Sequence, residues 1–77
     1  MKERVYKITE DYCEELTILC KKNHDSAFRF YHDFIERLSG VFDLFADAND
    51  MSVEEYVDIY NECSDKLYEV YNKYGEV

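Results

Sequence analysis

A chain of 77 residues holds one domain at most, of a size whose apolar core supplies only about 3–5 kcal/mol of stability. Its 47% apolar and 17% aromatic content argues against disorder, and two glycines with no proline argue against a turn-rich β fold, so an all-helical domain over residues 1–77 is expected. Eighteen acids against nine bases give a net charge of −9, which opposes direct contact with nucleic acid or an anionic membrane, since both would add phosphate repulsion.

The first predicted helix covers roughly residues 3–22. Val5, Ile8, Tyr12, Leu16 and Leu19 follow one another at three or four residues, with Tyr6, Cys13 and Cys20 in a second row beside them. Lys21 and Lys22 suit the negative end of its dipole. Asn23 closes this helix, and Asp25 or Ser26 is the expected cap of the next.

The second helix, roughly 26–48, carries Ala27, Tyr31, Phe34, Leu38, Val41, Phe45 and Ala48 in alternating steps of four and three. Phe28, Ile35 and Phe42 flank that row on one side, Phe30 and Leu44 on the other. So wide an apolar arc predicts the central helix of the fold. Ser39 and Gly40 are a candidate kink, but the apolar phase runs unchanged from Leu38 to Val41, which predicts one continuous helix.

In the third, roughly 53–74, Ser52 and Glu55 form a capping box. Val53, Tyr56, Tyr60, Cys63, Leu67, Val70 and Tyr74 then repeat at three and four until Gly75 ends the helix. Short connections make consecutive helices antiparallel, giving an all-α three-helix bundle or half of a dimeric one.

On a projection of about 100° per residue, Glu54, Glu55, Asp58, Glu62, Asp65 and Glu69 share an arc opposite the apolar stripe of the third helix. Lys66 and Lys73 interrupt it, each four residues after a glutamate. Glu10, Asp11, Glu14 and Glu15 add acids from the first helix, and Asp43, Asp47 and Asp50 from the second. Such a face either solvates the protein or recognises a basic one. A single helical row supplies a carboxylate per ~5.4 Å, a sparse copy of a DNA strand with its phosphate per ~3.4 Å, whereas two adjacent rows come closer.

Tyr56, Tyr60 and Tyr74 project to the middle of the stripe and read as core, while Tyr68, with Tyr71, stands at its edge, where a tyrosine can bury its ring against a partner. Ile18 projects onto the charged face of the first helix, with Tyr6 at that helix's other edge. The candidate partner-binding set is therefore Glu54, Glu55, Asp58, Glu62, Asp65, Glu69, Tyr68, Glu10, Glu14 and Ile18.

Cys20 and His24 have an i, i+4 ligand spacing that His32 and Cys63 would complete as a zinc site, but no Cys-x-x-Cys accompanies it and buried thiols account for the cysteines more simply. No cofactor is expected. The residues three before His24 and His32 are Lys21 and Arg29, not the glutamates of a di-iron site. Met51 and Ser52 stand where a calcium loop from Asp47 to Asp58 needs an acid and a glycine. Cysteines on apolar arcs lack the electropositive setting of a nucleophile, and a solvated acid face has no pocket to split carboxylate pKa values, so no enzyme is expected.

Three cysteines are an odd number, and Cys13 and Cys20 lie about 10 Å apart along a helix, too far to bridge. Reduced thiols, no run of ~18 apolar residues and no apolar centre in MKERVYKITEDY predict a cytoplasmic protein. The functional expectation is a self-associating, non-enzymatic acidic interaction module for a basic, nucleic-acid-binding protein. Its size and charge are those of inhibitors, nucleic-acid mimics among them, carried by phages and other mobile elements. The alternatives are a homo-oligomerisation or helix-docking domain whose acids only solvate, and a Cys/His zinc domain.

Overall fold

The structure, a computed structural model, describes residues 2–48 and 52–75. Three helices form, α1 (Lys2–Lys22), α2 (Ala27–Asp47) and α3 (Val53–Tyr74), with a 3-10 turn at His24–Ser26 between the first two and no strand among the described residues. The apolar spacing of three and four therefore does become helix, with bounds within a residue or so of the sequence expectation.

Helix ends follow from local chemistry. Asn23 leaves the helical region with φ −151°, while its backbone N–H still donates to the Leu19 carbonyl at 3.0 Å and closes α1. Ser26 occupies the N-cap of α2 but its side chain caps nothing; its hydroxyl accepts instead from the Asn23 side-chain amide at 3.1 Å. Asp25 lies inside the 3-10 turn, whose backbone continues into α2 through the Ala27 N–H on the His24 carbonyl, so the expected side-chain cap is replaced by main chain. Ser52 does cap α3, its hydroxyl accepting the Glu55 N–H at 3.2 Å.

α2 runs unbroken through Ser39 and Gly40. The Ser39 hydroxyl is hydrogen-bonded to that of Tyr60 at 2.9 Å, and Gly40 is exposed, with nothing within 4 Å of where a Cβ would stand. Neither residue interrupts the α2 backbone.

Consecutive helices are antiparallel, so α1 and α3 run parallel. Tyr6 meets Glu62 near one end of that pair and Lys21 meets Tyr74 near the other, whereas Phe28 of α2 reaches Tyr71 and Asp43 reaches Tyr56. Between the three lies one core of Val5, Thr9, Leu16 and Cys20 from α1, Ala27, Phe34, Leu38 and Phe42 from α2, and Ile59, Cys63 and Leu67 from α3.

Three expectations are corrected here. α2 is not central: each helix packs against both others, and the surplus of its wide arc is left in solvent at Phe28 (62% exposed) and Leu44 (68%). Val53 does not join the stripe; it is the first residue of α3, at the rim of the bundle, and is 81% exposed, while Ile59 takes the central place with Cys63 and Leu67. In α1 the buried row passes through Thr9 rather than Ile8, because the Thr9 hydroxyl bonds the Val5 carbonyl at 2.9 Å and enters the core satisfied.

Candidate partner-binding surface

All six acids of the predicted α3 face, Glu54, Glu55, Asp58, Glu62, Asp65 and Glu69, are exposed, as are Glu10 and Glu14 of α1. Asp50 lies outside the described residues. Packing decides which seam each acid serves. Glu62 leans toward α1, where its Oε2 accepts the Tyr6 hydroxyl at 2.7 Å; that bond holds the Tyr6 pKa above its ordinary value. Lys66, spaced to pair with Glu62, stands over the Tyr6 ring 5.2 Å from its centre, and Lys73 stands over Tyr74 at 5.3 Å.

Further along the same seam lies the half-buried Cys13. Burial pushes its thiol pKa up, and the charges of Glu69 and Glu10 add to the rise while Lys66 opposes it. An α3 acid and an α1 acid thus act on one α1 side chain, and Glu14 follows Glu10 one turn on. Asp65 turns the other way and acts on Tyr31 of α2.

The predicted set is therefore divided between two seams of α3. Glu10, Glu62 and Glu69 lie along the α1/α3 seam, with Ile18, 43% exposed, further along α1. Tyr68, 50% exposed, belongs to the α2/α3 seam, where its ring lies 6.0 Å from that of Tyr31 and 6.3 Å from that of Tyr71. Tyr31 and Tyr71 stack at 5.0 Å, and Phe28 meets Tyr71 edge-on at 6.2 Å. Phe28 and Tyr31 were expected in the apolar arc of α2; their part in an outward aromatic cluster has no signal in periodicity, which ranks them with Phe34 and Leu38.

No protein-family model matches the chain, and neither a curated protein nor a solved structure matches it.

The metal candidates are not brought together as helical spacing implied. α1 ends at Lys22, so His24 sits in the 3-10 turn, exposed, while Cys20 is fully buried with its thiol pKa raised by that burial. Cys63 is buried on α3, and His32 faces solvent beside Glu36, 3.7 Å from its carboxylate, and against the Phe28 ring. Among the described residues no group of three or more His, Cys, Asp or Glu side chains is placed to hold a metal ion. No helix among them is long and apolar enough to cross a membrane.

Proposed function

We propose that this protein is a cytoplasmic, non-enzymatic interaction module that docks the acidic faces of α3 and α1 on a basic, nucleic-acid-binding protein and blocks it. The blocking role is an analogy of size and charge with acidic inhibitors carried by phages and mobile elements. The observation that supports the reading is the parallel course of α1 and α3, which brings exposed acids of both helices, Glu10 and Glu14 on α1 and Glu62 and Glu69 on α3, along one seam where Glu62 accepts from Tyr6. On α3 this seam carries Glu62 and Glu69 about 10.5 Å apart with Lys66 between them, and Glu10 and Glu14 on the neighbouring α1 fall within the same stretch, so the two helices together present carboxylates more densely than either does alone.

Lys66 lies over Tyr6, which in turn bonds Glu62, so this cation interrupts the acidic field and the surface stays anionic. An exposed field of this kind acts at long range, steers a basic partner and is screened by salt, with a Debye length of ~10 Å at 0.1 M.

The test is capture of the tagged protein's partners from nuclease-treated lysate of its natural host, eluted stepwise with salt, in parallel with Asp58→Asn, Glu62→Gln, Asp65→Asn, Glu69→Gln combined in one variant. Amides preserve shape, and the amide oxygen introduced by Glu62→Gln can still accept from Tyr6. A basic protein held by the wild type, released at moderate salt and absent from the variant is the expected result. Equal capture by both proteins would remove the acidic face from the function.

A further inference from the structure

We infer that the aromatic patch on the α2/α3 seam, Tyr68 with Tyr31 and Phe28 beside Asp65, seats an arginine side chain of the basic partner. The inference rests on the reading above and adds the chemistry of one contact. Phe28 and Tyr68 are the aromatic side chains that the fold leaves exposed among the described residues. Elsewhere the chain's own cations stand over two half-buried rings, Lys66 over Tyr6 and Lys21 with Lys73 over Tyr74. No cation of the described residues stands over Tyr68 or Phe28.

Charge selects the occupant. Asp65 is exposed and precedes Tyr68 by one helical turn; the Tyr31 pKa is raised by burial, then by Tyr68 and Tyr60, and least by Asp65. A carboxylate beside an uncovered ring attracts a cation, and a chain of net charge −9 repels an anion or a second copy of itself. Arginine fits better than lysine. Its planar guanidinium stacks on a ring while its N–H groups reach a carboxylate, and it is more weakly hydrated than an ammonium. The Tyr68 ring is packed against Tyr31 and Tyr71 at 6.0–6.3 Å, tilted to each, which holds it in place while leaving half of it open to a flat group.

Two synthetic peptides of equal length and charge, one alternating Arg and Gly and the other Lys and Gly, test this by calorimetric titration of the full chain at low salt. The arginine peptide should bind about two- to fivefold more tightly. Tyr68→Ala should erase that preference, and Tyr68→Phe should retain it. Equal affinity for the two peptides, or a preference that survives Tyr68→Ala, overturns the arginine seat alone. A preference lost in Tyr68→Phe would belong to the hydroxyl and overturn stacking. Should the wild type bind neither peptide, both this inference and the acidic-face reading fall. If the four-acid variant binds the lysine peptide as well as the wild type does, the acidic-face reading alone falls. Light scattering on the same samples gives the remaining result: a dimer dissociated by Tyr68→Ala would mean that a second copy covers the patch, and the arginine seat would be wrong.

Discussion

At Gly75 the space for a side chain is already taken. A Cβ there would stand 2.8 Å from that of Ala27 and 2.9 Å from the Tyr71 ring, and the backbone is right-handed at φ −101°. The glycine is thus explained by close approach of the end of α3 to the start of α2, not by the left-handed cap that its position in sequence implies. Gly75→Ala should cost about 1–3 kcal/mol as overpacking, read as a lower urea midpoint. The tyrosines and thiols set the alkaline limit. Tyr6 is held protonated by its bond to Glu62, and Tyr31 and Tyr56 mainly by burial, with Asp43 accepting from Tyr56 at 2.9 Å; all three lie above the ordinary 10.0. Burial likewise raises Cys13, Cys20 and Cys63 above 9.0. In that range the unfolded chain releases its protons first, so stability is full below about pH 9 and falls as pH rises through the folded-state values. Urea midpoints measured from pH 8 to 11 should show that decline; a flat profile would contradict it. Thr9 shows why residue-scale reading from sequence falls short: its polarity hides a hydroxyl that the helix backbone satisfies internally.

At the scale of elements, much was legible. Three helices, their approximate bounds, the Ser52 cap and the continuity of α2 follow from spacing and propensity, because these are properties of a chain segment alone. What failed depends on neighbours. A wide apolar arc states what a helix can bury, not how many helices are present to cover it, and with only two neighbours α2 leaves Phe28 and Leu44 outside. Ile59 and Val53 both fit a pattern of threes and fours, and only the position of the bundle's rim separates them. Gly40 offers the element-scale test. It sits exposed in mid-helix with open space where a methyl group would stand, so Gly40→Ala should stabilise the protein by ~0.5–1 kcal/mol, seen as a raised thermal midpoint. A loss of stability would mean that α2 uses the freedom of a glycine there.

For the whole molecule, the acidic face was legible as charge on a helical wheel, but its division was not. Glu62 and Asp65 are three residues apart, yet one serves the seam with α1 and the other the seam with α2, since α3 lies between two neighbours. Parallel packing of α1 and α3 follows from two short connections, and with it the pairing of acidic rows that a single-helix projection cannot display. The bundle measures 39 × 17 × 16 Å, one core layer thick, and every helix covers part of both others. No pair of helices would keep that core dry after the third departs. The slowest-exchanging amide hydrogens of α1, α2 and α3 should therefore share one protection free energy, equal to that of global unfolding, because no smaller part of this protein can open alone and survive. A helix whose best-protected amides exchanged well below that limit, followed by NMR in deuterated buffer, would show that the bundle comes apart in pieces.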